Sequence, residues 1–485
     1  MTSDTPRYLT DPPPRPIDLS RPRRVHVIGI GGAGMSAIAR VLTQQGHRVA
    51  GSDLADGPAL APLRELGVVA TVGHAAHNLG AAEIVSRSTS IPDHNPEVEA
   101  ALSNGLLVHR RDELLSAISK QKATVSVGGT HGKTTTSSML TLVLLHAGLD
   151  PAFIIGGQVA GLDTGADWSA GDHLIVEADE SDGTFLRLET AAAIVTSVEP
   201  DHLNYYGSHD NFVDAFARFL RQTPGPRVLS VDDSSARALH VSLKANADSE
   251  ASDSAILTYG TDPSAAYQIV RYEGTRNGCT FDVRRDGETW ASVTLAKPGV
   301  HNARNATAAL VMAVQLGVDL NTAVAGLATY AGVGRRWEER GSISGITFVD
   351  DYAHLPSEVG LTLDAARAGN WGRVVCVFQP HRYSRTGELG RTFGHSFSQA
   401  DHVIVTGIYP SGEKPIDGVT GRIVFDAIRA ADPGLSISYV ESLDDVVTTL
   451  AETLTDGDLC LTLGAGDLTR VPDQVLTMLA DANDR

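Results

Sequence analysis

A chain of 485 residues is too long for one hydrophobic core and suits about three domains of ~150 residues each. Its 58 acidic residues outnumber 39 Lys and Arg, and the formal net charge of -19 argues against nucleic acid or an anionic membrane as the main partner, since either rewards a basic surface. No apolar run is long enough to span a bilayer, so no membrane insertion is expected.

Met1 to Ser20 is polar and proline-rich, lacks the apolar core of a signal peptide, and reads as a disordered arm (1–20) on a cytoplasmic protein. A first domain is expected over 21–120. Arg24-Val-His-Val-Ile-Gly runs as a strand into a glycine turn, with a helix predicted from Ala37 to Gln45. Gly29, Gly31 and Gly34 fit the spacing G-x-G-x-x-G, and Asp53 ends the next strand-like run. Alone, this spacing suggests NAD. The physics is broader: a helix N-terminus that takes a pyrophosphate, and a carboxylate near a ribose or another polar group, suit a UDP-sugar equally well, and a turn with no ligand is the bland alternative. Alternation continues through Glu83-Ile-Val-Ser-Arg, a helix near Glu97 to Ser103 and Leu106-Leu-Val-His, with Ser86, Ser88 and Thr89 at strand ends.

A central domain, 121–331, opens with Val125-Ser-Val-Gly-Gly-Thr-His-Gly-Lys-Thr-Thr-Thr. A β-branched run, a turn on Gly128, Gly129 and Gly132, Lys133-Thr134 and an apolar segment through Leu145 give strand, loop and helix. Backbone N–H groups close on phosphate oxygens, Lys133 reaches the outer phosphates, and the Thr134 hydroxyl can ligate Mg²⁺. The first glycine of the textual phosphate-loop pattern falls on Val127, with Gly128 one place late.

His173-Leu-Ile-Val-Glu is an apolar strand whose carboxyl end carries Glu177, Asp179, Glu180 and Asp182. Carboxylates crowded there repel one another unless a cation sits among them, and hard oxygens suit Mg²⁺. A third strand, Ala192 to Val198, delivers Glu199-Pro-Asp-His202. Ligands gather beyond the carboxyl ends of strands in open α/β sheets, where Thr134, Glu177 and His202 are expected to converge. Ala245 to Ser254 reads as a surface loop, and strands near Tyr267, Cys279 and Thr289 as a small antiparallel addition. Pro298-Gly-Val-His-Asn-Ala-Arg-Asn then opens an alanine-rich helix; capping explains one of Asn302 and Asn305, and amides reading a base edge explain both.

A third domain is expected over 332–485, behind the charged link Gly334-Arg-Arg-Trp. Asp351-Tyr-Ala-His follows one strand and Gln379-Pro-His-Arg-Tyr-Ser-Arg another, where Arg382 and Arg385 suit a carboxylate or phosphate clamp. Gly464-Ala-Gly466 reads as a structural turn, because no lysine or paired hydroxyls follow it. Cys279, Cys376 and Cys460 are far apart, the last two in apolar strand-like runs, and form neither a disulfide framework nor a metal set.

Taken in order, Gly29-Ile-Gly-Gly-Ala-Gly-Met-Ser, Gly128-Gly-Thr-His-Gly-Lys-Thr, Glu177-Ala-Asp-Glu-Ser-Asp, Glu199-Pro-Asp-His, His301-Asn-Ala-Arg-Asn, Asp350-Asp-Tyr-Ala-His and Gln379-Pro-His-Arg-Tyr resemble the Mur ligase family over nearly all of 22–470. The resemblance implies an α/β chain of three domains: a Rossmann-like UDP-binding domain, a phosphate-loop ATPase domain and a Rossmann-like C-terminal domain. It also implies ATP-dependent amide formation, through an acyl phosphate, between L-alanine and the lactyl carboxylate of UDP-N-acetylmuramate.

By the same resemblance ATP meets Gly129, Thr130, His131, Gly132, Lys133, Thr134, Thr135, Asn302, Asn305, Arg336 and Asp351. The UDP-sugar meets Gly29, Gly31, Gly32, Ala33, Gly34, Met35, Ser36, Asp53, Ser88 and His131, and the amino acid Tyr352, His354, Arg382 and Arg385. Lys133, Glu177 and His202 are catalytic; Thr134, Glu177 and His202 hold two Mg²⁺ ions. The chain is expected to be a monomer or homodimer. It departs from the family at Leu355, where a second histidine is common, at Ser197 for asparagine and at Asn204 for aspartate. Rival readings are a ligase that adds a preformed peptide to the same UDP-sugar, an NAD-dependent dehydrogenase resting on Gly29 to Asp53, and an ATP-gated binding protein without catalysis. The unbroken Lys133, Thr134, Glu177 and His202 count against the last.

Overall fold

A computed structural model describes Leu9, 13–162, 164–245 and 256–483, the side chains of Asn204 and Asn483 excepted. Of the stretch Ala245 to Ser254 read as a surface loop, Ala245 ends a helix (Ser234–Ala245), and the rest, like most of the expected N-terminal arm, lies outside the described residues. Residues 13–20 are tied down: Arg15 donates to the Glu113 carboxylate and to the Val108 carbonyl, and Leu19 is buried.

Three α/β sheets carry the chain. The first holds β1 (Arg24–Ile28), β2 (Arg48–Asp53), β3 (Val69–Val72), β4 (Ile84–Arg87) and β5 (Val108–Arg110), all parallel, in the order β3-β2-β1-β4-β5. Strand order reverses beside β1, so the turn after Ile28 opens at the switch point where such sheets bind ligands.

The second sheet is built on β6 (Ala123–Gly128), β7 (Ala152–Val159), β8 (Thr164–Asp167), β9 (His173–Glu177), β10 (Thr190–Val195), β11 (Arg227–Ser230) and β12 (Ile256–Gly260), extended by β13 (Tyr267–Thr275), β14 (Gly278–Arg285) and β15 (Glu288–Leu295). β6 lies between β10 and β9, parallel to both, and is buried along its length after Ala123. The third sheet runs β16-β17-β21-β18-β19-β20, with β16 (Glu338–Ile343), β17 (Ile346–Asp351), β18 (Arg373–Phe378), β19 (His402–Val405), β20 (Ser436–Tyr439) and β21 (Asp458–Leu463). Only β16 is antiparallel to its neighbour there.

Helices that matter for the site are α1 (Ala33–Gln44), α2 (Pro96–Ser103), α3 (Arg111–Ser119), α4 (Lys133–His146), α5 (His209–Gln222), α6 (Val300–Gln315), α7 (Leu320–Leu327), α8 (Pro356–Arg367) and α9 (Tyr383–Leu389). α1 starts four residues before the expected Ala37, so Gly34, Met35 and Ser36 form its first turn. α4 is apolar or small nearly all round, as a helix covered on several sides must be. α7 presses against it where Gly326 leaves room: an added Cβ would stand 2.9 Å from the Val143 Cα. Phe212, Phe216 and Phe219 of α5 pack with Phe185, with ring centroids 5.0 and 5.1 Å apart in the two Phe185 pairs; each such pair contributes about 0.5–1.5 kcal/mol beyond its buried area.

The contacts divide the chain into two compact units: the first two sheets belong chiefly to one, and residues 331–485, with 271–282 and 293–303, to the other. All three cysteines are buried and free. Among the described residues no helix is long and apolar enough to cross a membrane.

Candidate active site

β6 ends at Gly128 and α4 begins at Lys133, with Gly132 as N-cap. Gly129 and Gly132 have φ of +128° and +78°, where a side chain is strained. Space imposes glycine as well: a Cβ on Gly129 would meet Thr196 Oγ1 at 2.2 Å, and one on Gly132 would meet Asn305 Oδ1 at 2.4 Å. The segment after β10 braces the turn. Thr130 N donates to the Ser197 carbonyl (3.1 Å), Thr130 Oγ1 to the Glu199 carbonyl (2.8 Å) and His131 N to Ser197 Oγ (2.9 Å), while Thr196 Oγ1 donates to the His131 carbonyl. His131 Nε2 lies 3.3 Å from the Glu199 carboxylate.

The Lys133 ammonium folds back over this turn. It donates to the Gly129 carbonyl (2.7 Å) and stands 2.8 Å from both oxygens of Glu180, which is 2% exposed. Burial opposes the Lys133 charge, but Glu180, Asp179 and Glu177 outweigh it and hold the pKa above its ordinary value. Burial pushes the Glu180 carboxyl up to about 7 against the pull of Lys133.

The acidic groups after β9 are thus dispersed. Glu177 accepts from Thr134 Oγ1 (3.1 Å) and Gly156 N (2.8 Å); Asp179 faces Arg111 at 3.6 Å; Asp182 accepts from Thr184 N at 3.1 Å. The Lys133 ammonium lies among these carboxylates. Thr134 and Glu177 meet; His202 Nε2 lies 3.3 Å from the Asp201 carboxylate. Among the described residues no three His, Cys, Asp or Glu side chains gather as a metal cage.

The first glycine turn is fastened to β2. Gly29 N and Ile30 N donate to the Ser52 carbonyl (2.8 and 3.0 Å), and Gly31 N donates to Asp53 Oδ2 (2.8 Å), whose other oxygen takes Leu54 N. Asp53 therefore holds the turn itself. Ser88 N donates to the Ile28 carbonyl, and its Cβ lies 3.0 Å from where a Gly29 Cβ would stand. Met35 is in the core at 2% exposure, so its side chain is not open to a ligand. A Cβ on Gly34 would meet Arg111 Nη1 at 2.7 Å.

In the other unit, Asp351 accepts from Trp337 N (2.7 Å) and Ala353 N (2.8 Å); burial raises its pKa to about 6 against the pull of Arg336. Tyr352, His354, His381 and Tyr409 form a chain of ring contacts, the last pair stacked at 5.7 Å. Both Arg335 and Arg336 lie 4.9 Å over the Tyr352 ring. His354 Nδ1 donates to the Tyr352 carbonyl, and Arg385 Nη1 donates to His381 Nδ1 at 3.0 Å. Burial lowers His354 to about 4 against the pull of Glu358, and burial followed by neighbouring positive charge lowers His381 to about 3, so both rings are neutral near pH 7. Arg382 precedes α9 at φ +67°, its backbone N–H donating to the Tyr409 carbonyl. Gly464 and Gly466 turn carbonyls toward Arg335, as suits a structural turn.

Three family descriptions match in sequence: Mur ligase family, catalytic domain, over 24–123; Mur ligase middle domain over 127–313; and Mur ligase, glutamate ligase domain, over 335–466. The UDP-N-acetylmuramate--L-alanine ligase of Pelotomaculum thermopropionicum is 41% identical over 453 residues, 93% of this chain and 96% of that one. The chain belongs to the Mur ligase family. A ligase of the same name from Thermobifida fusca is 41% identical over 483 residues, 96% of this chain and 99% of its own. The crystal structure of the UDP-N-acetylmuramate-alanine ligase MurC of Thermotoga maritima matches with a TM-score of 0.79 at 27% identity, covering 95% of this chain and all of that one.

Two of the three departures from the Mur ligase pattern have local explanations, and the side chain of the third, Asn204, lies outside the described residues. Ser197 uses its hydroxyl to accept from His131 N, the task of a short polar side chain. Leu355 is buried in the core ahead of α8. Asn302 Nδ2 donates to the Pro298 carbonyl (2.7 Å), whereas Asn305 lies against Gly132. Sequence reasoning missed Arg111, Glu180 as the partner of Lys133, His381 and Tyr409. Glu180 and His381 stood inside quoted motifs, but nothing in their spacing singled them out.

Proposed function

We propose that this Mur ligase joins L-alanine to the lactyl carboxylate of UDP-N-acetylmuramate at the expense of ATP, giving UDP-N-acetylmuramoyl-L-alanine, ADP and phosphate, a step of peptidoglycan precursor synthesis. The observation that carries this reading is the Lys133–Thr134–Glu177 arrangement at the end of β6, in a chain that ligases of that name match almost end to end. In this reading 21–120 takes the UDP-sugar, 121–331 takes ATP, and 332–485 takes the amino acid. The reaction runs in the cytoplasm, with the chain as monomer or homodimer.

A lactyl carboxylate oxygen attacks the γ-phosphorus, and the bond to the β-bridging oxygen breaks, releasing ADP and leaving an acyl phosphate. The alanine amine then attacks the acyl carbon, the carbon–oxygen bond to phosphate breaks, and the nitrogen sheds a proton. Both steps gather anions. Lys133, the start of α4 and the turn's N–H groups stabilise charge developing on the phosphoryl oxygens. Gly29 to Ser36 cradle the diphosphate at the start of α1. Tyr352, His354, Arg382 and Arg385 hold the amino acid, the arginines taking its carboxylate. Neutral His354 is suited to accept a hydrogen bond, and His202 is the other candidate for the amine proton.

The hydroxyl of Thr134 and the carboxylate of Glu177, 3.1 Å apart, are hard oxygen donors that fit Mg²⁺, and His202 would help hold a second ion. Magnesium supplies charge neutralisation on the phosphates.

Phosphate release from purified protein with Mg²⁺ and ATP tests the reading. Release is expected only when both UDP-N-acetylmuramate and L-alanine are present. Release that depends on a preformed peptide in place of alanine would move the chain to the peptide-adding ligases; no release with any acceptor, despite nucleotide binding, would overturn the catalytic reading.

A further inference from the structure

Behind the first glycine turn lies a buried polar network that the reaction above does not use. Its hub is Glu97, in the first turn of α2 and fully buried. Glu97 Oε2 accepts from Ser52 Oγ (2.6 Å) and His26 Nε2 (3.0 Å); Oε1 accepts from Asn78 Nδ2 (2.6 Å) and Ala75 N (3.1 Å). The remaining lone pair of Ser52 Oγ takes His74 Nδ1 at 2.9 Å. Burial alone would raise the Glu97 pKa, but these donors outweigh it and hold the carboxyl down at about 2.

Ser52 faces two ways. Its hydroxyl is locked by Glu97, and its carbonyl takes both Gly29 N and Ile30 N, while the next residue, Asp53, takes Gly31 N. Three successive N–H groups of the turn are therefore set by the last two residues of β2. Slack is small there: a Cβ on Gly51 would stand 2.4 Å from the Val27 carbonyl oxygen. A displacement of Ser52 is transmitted directly to the turn.

We propose that Glu97 is a positioning residue for the UDP-sugar, acting through Ser52 to hold the Gly29–Gly31 turn in its ligand-ready form. The inference rests on the reading that this turn binds the sugar nucleotide.

Steady-state kinetics on the full chain test it. Glu97→Gln keeps the shape and removes the charge; KM for UDP-N-acetylmuramate is expected to rise about tenfold, with kcat and KM for ATP changed less than about twofold. Ser52→Ala is expected to raise the same KM, and the double variant to match the larger single effect, because both cut one path. A purely structural Glu97 would lower thermal stability and leave that KM unmoved, which overturns the proposal. Should Glu97→Gln fail to fold, Asn78→Ala removes one donor, and about a threefold rise is expected in its place, an unchanged KM again being fatal. Gly31→Ala separates the two layers: if it raises the KM and Glu97→Gln does not, the positioning role falls alone; if it leaves the KM unchanged, the assignment of the turn falls with it.

Discussion

The chain uses one device twice, a strand, a glycine turn and a helix, and sets the two copies differently. After β1 a carboxylate is bonded to the turn's own backbone, Asp53 to Gly31 N, and the turn is fixed before any ligand arrives. After β6 the carboxylate is bonded to the turn's reactive side chain, Glu180 to Lys133. One site is pre-shaped and the other is latched. Preorganisation lowers the cost of binding a large flexible ligand, whereas a latch makes binding an exchange of partners.

The contrast is open to attack at several points, from the largest effect to the smallest. Lys133→Ala is expected to cut phosphate release by about 10³-fold at saturating substrates, with binding of the UDP-sugar intact by calorimetry. Gly129→Ala combines a positive φ with the 2.2 Å approach to Thr196 Oγ1, and a loss of about 2–3 kcal/mol of stability, read by denaturant unfolding, should accompany loss of activity. Asp53→Ala should raise KM for the UDP-sugar about tenfold and leave KM for ATP alone; equal effects on both would erase the distinction between the turns. Glu180→Gln frees the ammonium, so the dissociation constant of ATP should fall about threefold; an unchanged or weaker affinity would mean that no latch exists.

Acidity separates the two regions by sign. Glu97 and Glu113 are held at about 2 in the fold, below their unfolded value, so the stability they contribute is present above about pH 4.5 and lost as pH falls toward 2. Glu180 is raised to about 7, so its contribution is present below its unfolded value and lost as pH rises through 7. Glu180→Gln removes this one downward contribution, so the slope of melting temperature against pH from 5 to 8 should be more positive in the variant than in the parent chain.

Much of this was legible from residues alone because glycine is needed where φ is positive or backbone is crowded, and both turns announce themselves that way. The late first glycine of the phosphate loop has a simple cause: β6 continues through Gly128, and the turn begins at Gly129. What spacing could not give was choice among similar groups. Four acids end or follow β9, and only the fold selects Glu180 for Lys133. Met35 faces the core because α1 starts earlier than its apolar period suggested. Asn302 goes to its own helix start and Asn305 to Gly132, a difference set by one turn of α6. Arg111 reaches Gly34 from far along the chain, and such contacts leave no local pattern.

The pairing of Lys133 with Glu180 bears on which anions would be held there. In a chain of net charge -19, a bare ammonium beside open N–H groups would be a standing trap for phosphate, sulfate and every small acid nearby. Neutralised by its own carboxylate, it gives those anions little reason to stay. An anion reaching Lys133 would have to displace Glu180, so on the proposed reading the pairing would select against simple anions.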